Sequence, residues 1–247
     1  AEGETTLNQP AESRDHTERM LRSMGGQLKS EGLTLKIQQG ELTSTNVSVP
    51  CDTSGSAFWL VAACCHPNAS IRLENVGMNP TRTGMIEVLL AMGANISVQN
   101  ERMEGGEPVA DLIASSCILE CTDISGNLIP RVLDEIPIIS LAASHAKGTT
   151  TIRDAQELRV KESDRIKATV AGLSKLGADI RETADGMEIT GPNDLFGTEV
   201  ESYGDHRIAM TNAIAGLLAK GDTIIQDAEV ASVSYPSFWE TIDRLQN

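Results

Sequence analysis

Aromatic side chains are scarce in this sequence: two Trp, two Tyr and three Phe make up 3% of 247 residues. The core therefore has to be built from Leu, Ile, Val, Ala and Met. Cysteine is sparse too. The five residues Cys51, Cys64, Cys65, Cys117 and Cys121 are odd in number and lack paired CxxC spacing. Cys64 and Cys65 sit in the apolar run FWLVAACC and read as core thiols. Cys117 and Cys121 have the spacing to seed a metal site but no histidine nearby, so buried thiols are expected there as well. His66 and His145 have no partner at metal-ligand spacing and read as structural or surface residues. Basic residues are in deficit, 20 Lys and Arg against 35 Asp and Glu, which gives a formal charge of −15. That balance argues against a nucleic-acid or anionic-membrane surface. No stretch reaches the roughly 18 apolar residues of a membrane span, no signal peptide is evident, and the thiols suit a reducing cytoplasm. A Walker loop, a dinucleotide GxGxxG and a GxSxG elbow are all missing.

What is present is a repeat. A small-residue turn followed by a β-rich run occurs as EGETTLNQ, NASIRLEN, KGTTTIRD and KGDTIIQD, at intervals of about 65–80 residues. A second pattern, a helix end closed by glycine and followed by a β-branched run, occurs as MLRSMGGQL, LLAMGANI and LSKLGADI. Together they predict duplicated supersecondary units of βαβαββ type, an α/β (α+β) fold with helices packed inside and sheets outside. Helices are expected at 14–25, 54–65, 80–92, 135–146, 161–176, 205–219 and 236–246. Strands are expected near 5–8, 33–38, 69–75, 95–99, 149–153, 187–190 and 223–226. The stretch VSVPCDTSGSAF ends a strand in small turn-forming residues, which places a boundary near residue 51. The first Ala and the absence of an initial Met suggest a piece of a longer chain.

The helix start ELRVKESDRIKATV, residues 157–170, carries its bases at the wrong end. Lys161 and Arg165 lie one turn apart, where like charges repel by a few tenths of a kcal/mol. Both sit near the positive end of the helix dipole, where a cation costs roughly 0.3–1 kcal/mol. The pattern recurs at YGDHRIAM, in which Asp205 is a candidate N-cap and Arg207 falls in the first turn. Two such helix starts make an anion clamp, because N-terminal amides already attract anions and Arg adds a planar fork. Neutralisation by Glu162, Asp164 and Asp205 accounts for the same residues without a ligand. In VLDEIPIIS, Asp134 opens an apolar helix with Pro137 in its first turn. It reads either as an ordinary cap or as a carboxylate that accepts a proton from a substrate hydroxyl. SRDHTERML (Arg14, Asp15, His16) and MNPTRTGMI (Pro80, Arg82) offer weaker phosphate contacts at two more helix starts.

LRVKESDRI, DHRIAM, NPTRTG and DEIPI together resemble the 5-enolpyruvylshikimate-3-phosphate (EPSP) synthase family, and SRDHTERML and SYPSFWETI agree. The resemblance runs from Ala1 to Asn247 but covers only the later part of a family member. It implies an inside-out α/β barrel of the enolpyruvyl transferase type. Residues 1–50 would be the last unit of a first domain, and residues 51–247 a whole second domain. It further implies transfer of the enolpyruvyl group of phosphoenolpyruvate to the 5-hydroxyl of shikimate 3-phosphate, with no metal or organic cofactor. Under that resemblance Asp134 takes the hydroxyl proton, Glu162 exchanges protons with the methylene carbon, and Lys161 contacts the reacting oxygens. Arg165 and Arg207 hold the carboxylate and phosphate of phosphoenolpyruvate, His206 flanks them, and Arg14 reaches shikimate 3-phosphate. The family's N-terminal Lys/Ser/Arg motif and its NAGT-like loop would precede Ala1, so a complementary N-terminal polypeptide is an expected partner. Ser234 stands where some members carry a lysine before the aromatic-Pro pair. A serine there is similar to the glyphosate-tolerant bacterial branch and leaves inhibitor sensitivity open. Two alternatives stand beside this reading: a relative acting on UDP-N-acetylglucosamine, and a catalytically silent half that binds anions or a complementary chain.

Overall fold

Each small-residue turn of the repeat releases the chain into a strand. The computed structural model describes residues 2–246, so Ala1 and Asn247, the outer limits of the two expected domains, lie outside the described residues. The first turn leads into β1 (Glu4–Asn8), then α1 (His16–Ser23), β2 (Leu28–Glu31) and β3 (Thr34–Gln38). These strands form an antiparallel sheet in the order β1-β3-β2. An irregular connection leads to Cys51, which bridges in parallel to Val76. The next unit is α2 (Thr53–Cys65), β4 (Ser70–Gly77), α3 (Gly84–Ala91), β5 (Asn95–Glu104) and β6 (Glu107–Ser115), with sheet order β4-β6-β5. It is followed by β7 (Asp123–Ile124), α4 (Ile129–Val132), α5 (Ile136–His145), β8 (Gly148–Ile152), α6 (Arg165–Lys175), β9 (Asp179–Glu182) and β10 (Met187–Gly191). Their sheet runs β7-β8-β10-β9, parallel only between β7 and β8. The last elements are β11 (Glu199–Glu201), α7 (His206–Leu218), β12 (Ile224–Gln226) and α8 (Phe238–Gln246), with β11 and β12 parallel.

The four repeated turn-strand segments are β1, β4, β8 and β12. Beside the first three lies an antiparallel strand: β3, β6 or β10. No strand occupies that place beside β12 among the described residues. Helices close alike as well. Gly25, Gly93 and Gly177 follow α1, α3 and α6 with φ of 83°, 83° and 107°, a left-handed turn that glycine adopts without strain.

Helices α2, α5 and α7 lie inside, as the repeat predicts, whereas α1 buries only Glu18. The run TSGSAFWLVAACC of α2 has no polar face beyond its first turn, and α5 is buried from Ile136 to Ser144. A helix apolar all round has to be surrounded by protein. α2, α5 and α7 accordingly pack against one another at the centre. Five of the seven aromatic residues gather in one cluster, Phe58, Trp59, Tyr235, Phe238 and Trp239, which ties α8 to α2.

Two helices, α3 and α6, begin four residues later than expected. α6 starts at Arg165 because Asp164 caps it, accepting from the amide of Lys167 at 3.1 Å. Lys161 lies outside the helix on extended backbone, so its supposed repulsion with Arg165 along a helix face does not arise. α3 starts at Gly84 because the Asn79 side chain holds the preceding turn, accepting from the Thr81 amide at 2.9 Å and hydroxyl at 2.7 Å. The thiols divide. Cys64 is buried, and burial together with neighbouring Cys117 pushes it up to about 12, whereas Cys121 is exposed, not buried. No cluster able to hold a metal and no helix long and apolar enough to cross a membrane occurs among the described residues.

Candidate active site

The oddly charged helix starts meet. Arg165 opens α6, and Arg207 lies in the first turn of α7. Asp205 joins them. Its Oδ1 accepts from the Arg207 amide at 2.9 Å and so caps α7, as the sequence suggests. Its Oδ2 accepts from Arg165 Nε at 2.8 Å and from the Ser163 hydroxyl at 3.1 Å. Both partners are out of solvent, Arg165 at 1% and Asp205 at 0% exposure. A guanidinium this deep needs its donors used and its charge met. Arg165 meets both demands with Asp205, with Glu162 at 2.6 Å and with Asp134 at 3.3 Å.

Asp134 is the meeting point. It sits in a 3-10 turn (Leu133–Glu135) just before α5, and Glu135, not Asp134, takes the cap position; Pro137 stands in the helix's first turn as expected. Three arginines from three parts of the chain surround its carboxylate: Arg14 at 2.5 Å, Arg165 at 3.3 Å and Arg207 at 3.6 Å. Arg207 also donates to the Asp134 carbonyl at 3.1 Å. Arg14 comes from the segment before α1, so this contact bridges the first unit to the rest. Beside it, Asn79 donates to Asp15 at 2.6 Å, and His16 pairs with Glu107 at 2.8 Å.

The electrostatics follow from this crowding. Burial pushes the Asp134 carboxyl up, but the charges of Arg207, Arg14 and Arg165 and the Arg14 hydrogen bond outweigh it and hold the group down at about 2. Burial likewise opposes ionisation of Asp205, and the Arg165 contacts prevail and lower it. His206 is pushed down by burial and then by Arg207, which favours neutral imidazole. Glu135 goes the other way: burial raises it despite the Ser54 hydrogen bond and two nearby arginines.

Of the residues singled out in the sequence, Arg14, Asp134, Glu162, Arg165 and Arg207 form one contiguous cluster, with His206 beside it. Lys161 directs its ammonium to Glu157 at 2.5 Å. Of the carboxylates expected to neutralise the bases, Glu162 and Asp205 pair with Arg165, whereas Asp164 pairs with Arg159 at 3.0 Å. The sequence names Asp205 as a cap and a neutralising carboxylate, but not its reach to Arg165 of the other helix start, because nothing local shows where its second oxygen points. Sequence reasoning passed over Glu135, although its position directly after Asp134 was the available signal. A cleft of about 490 Å³ opens beside the cluster, with Arg14, Arg82 and Arg207 among its lining residues. Two converging guanidinium groups, helix amides and flanking carboxylates can hold a dianion and move protons beside it.

The family model for EPSP synthase (3-phosphoshikimate 1-carboxyvinyltransferase) matches residues 1–242. The chain is 54% identical over 247 residues to the 3-phosphoshikimate 1-carboxyvinyltransferase of Synechococcus elongatus, covering 99% of this chain and 55% of that protein. It is 52% identical over 246 residues to the enzyme of the same name from Bacillus thuringiensis (strain Al Hakam), covering 99% and 57%. Its structure superposes on EPSP synthase from Acinetobacter baumannii with a TM-score of 0.94 at 43% identity, over 99% of this chain and 57% of that one. The enolpyruvyl transferase NikO from Streptomyces tendae shares the fold, with a TM-score of 0.76 at 21% identity over 100% and 56% of the two chains. The chain thus spans little more than half the length of these relatives.

Proposed function

The chain belongs to the EPSP synthase family, and on that premise we propose that it supplies the phosphoenolpyruvate-side half of an enolpyruvyl transfer site. The substrates are phosphoenolpyruvate and shikimate 3-phosphate, and the product phosphate leaves from the former. The observation that carries this reading is the convergence of Arg165 and Arg207, from two separate helix starts, on Asp134 and Glu162.

In the proposed reaction Asp134 accepts the proton of the 5-hydroxyl as that oxygen attacks C2 of phosphoenolpyruvate, and Glu162 delivers a proton to the methylene carbon. Phosphate then departs with the proton that Asp134 took up, as a proton returns from the methyl group to Glu162, which restores the double bond and both carboxyl groups. Arg165 and Arg207 hold the carboxylate and phosphate throughout. Lys161 turns from Glu157 to the reacting oxygens, and His206 flanks them. Asp134 held at about 2 is a weak base. An anionic substrate that engages Arg165 and Arg207 draws their charge away from Asp134 and raises its proton affinity, so the base gains strength when the substrate is in place.

Arg14 then serves shikimate 3-phosphate from the other wall, and a complementary polypeptide furnishes the remaining contacts. We assign residues 1–50 to the last unit of a first domain and residues 51–247 to a second. In support, Leu7, Leu33 and Leu42 of the first unit are each 44–50% exposed, apolar side chains that further units would cover. A cytoplasmic setting suits a reaction on two phosphorylated small molecules and a chain with five free thiols. Titration calorimetry with phosphoenolpyruvate tests the reading: the chain binds it weakly, and Arg165→Ala or Arg207→Ala abolishes the heat. Equal binding by all three proteins would overturn it.

A further inference from the structure

The acids around the clamp are of two kinds. Glu162 is half exposed and Asp134 partly so, and an incoming anion can displace either from its arginine. Asp205 is wholly buried behind Arg165 and stays whatever binds in front. Arg207 needs an equivalent, because its other partners, the Asp134 carboxylate and carbonyl, belong to a residue whose charge the substrate redistributes.

We propose that Glu135 is the fixed counter-ion that positions Arg207, the counterpart of Asp205 behind Arg165. Its carboxylate is 5% exposed and lies 3.8 Å from Arg207 Nη1, on the side away from Asp134 Oδ2, which faces Nη2. Consecutive residues of one rigid turn therefore cup one guanidinium. Glu135 is itself held. Ser54, in the first turn of α2, donates its hydroxyl to Oε1 in a short hydrogen bond, and Arg82 Nη2 donates to the same hydroxyl at 2.5 Å. Arg82 is steadied in turn by Asp52, the cap of α2, at 3.3 Å. The chain Asp52–Arg82–Ser54–Glu135–Arg207 thus ties the start of one central helix to the start of another. A carboxylate this buried is retained only where charges and donors answer it, and Arg207 and Arg82 are the cations facing it. The proposal rests on the reading of Arg207 as an anion ligand. It adds that the aim of Arg207, and not only its charge, is built into the fold.

Positioning and plain electrostatics give opposite signs. Glu135→Gln keeps the shape and the Ser54 contact and removes a negative charge beside the anion site. If Glu135 acted only through its field, phosphate would bind more tightly. If it positions Arg207, phosphate and phosphoenolpyruvate bind about tenfold more weakly, as for the loss of one charge-assisted contact. The experiment is titration of inorganic phosphate into the wild-type chain and into Glu135→Gln, with NMR of the arginine side-chain NH groups. The expected result is a restrained Arg207 guanidinium in the wild type, with separate Nη signals, that becomes freely rotating in the variant while the Arg165 signals stay in place. Ser54→Ala, which retains the charge, provides the same readout if Glu135→Gln does not fold, with a smaller loss. Unchanged or tighter phosphate binding with unaltered Arg207 signals would overturn the proposal. Absence of phosphate binding by the wild-type chain would count against the proposed function instead, and the Arg207 signals would still decide the role of Glu135.

Discussion

Asp205→Asn should destabilise the chain far more than a surface carboxylate change, and for a reason separable from helix capping. Asparagine caps a helix as well as aspartate does, so the hydrogen bond from the Arg207 amide survives the substitution. What disappears is the charge opposite Arg165, a guanidinium with 1% exposure. Breaking a buried ion pair from one side costs about 3–5 kcal/mol, because the remaining charge is stranded. Arg165 retains Glu162 and Asp134, so the lower figure applies, about 3 kcal/mol. For a domain of this size that corresponds to a fall in melting temperature of about 6–12 °C. Asp205→Ala should lose roughly a further 1 kcal/mol, the worth of the cap. Urea and thermal denaturation of the three proteins at pH 7 measure both steps. If Asp205→Asn melts within about 2 °C of the wild type, the buried pair is not what holds the two helix starts together, and the account of the clamp fails.

The Asp134 carboxyl is depressed in the folded chain, so its contribution is fully present above the ordinary value of 3.8 and is lost as pH falls through about 2. The stability difference between wild type and Asp134→Asn should therefore be flat near neutrality and vanish in acid denaturation series approaching pH 2; a difference constant with pH would contradict the arginine cage. His206 should titrate below the ordinary 6.5 by NMR, and saturating phosphate should move it upward by screening Arg207, whereas a downward move would mean that the anion binds elsewhere. The edge of β12 has no antiparallel neighbour among the described residues, and Ile224 on it is 59% exposed. Sedimentation should accordingly show concentration-dependent self-association that Ile224→Lys reduces, and identical monomeric behaviour of both proteins would remove the open edge from the account.

The helices were the most legible part of the fold. FWLVAACC and IPIISLAASH are too apolar to lie anywhere but inside, and glycine marks the ends of α1, α3 and α6 plainly. Strands that carry breaks in their pattern were harder to see. β6 opens with Glu107-Pro108 and holds Asp111 in its interior, where Asn100, Arg72 and the Asn75 amide satisfy it. That compensation comes from β4 and β5 and cannot be read from the β6 segment. β2, β7, β9 and β11 are only two to four residues long, below the span over which alternation declares itself. At the site, charges at the wrong end of a helix pointed to Arg165 and Arg207, since a local energetic misfit is visible in sequence. Their partners Asp205 and Glu135 are explained by contacts across 40 and 72 residues, which no local pattern encodes. The start of α6 was misplaced for a related reason: two candidate caps, Ser163 and Asp164, stand side by side, and only the fold shows Ser163 turned toward Asp205.

The most direct test of the account is phosphate release from phosphoenolpyruvate and shikimate 3-phosphate, measured with the chain alone and with a polypeptide carrying the remaining part of the family's length. Arg165, Arg207, Asp134 and Glu162 are assembled here, but the proposed reaction also requires both substrates to be oriented and water excluded, and misplacement by about 1 Å can cost about 10²-fold. The account predicts negligible release from the chain alone and turnover restored when the second polypeptide docks, abolished again by Arg165→Ala. Rapid release from the chain alone, or restored turnover that survives loss of Arg165, would contradict it.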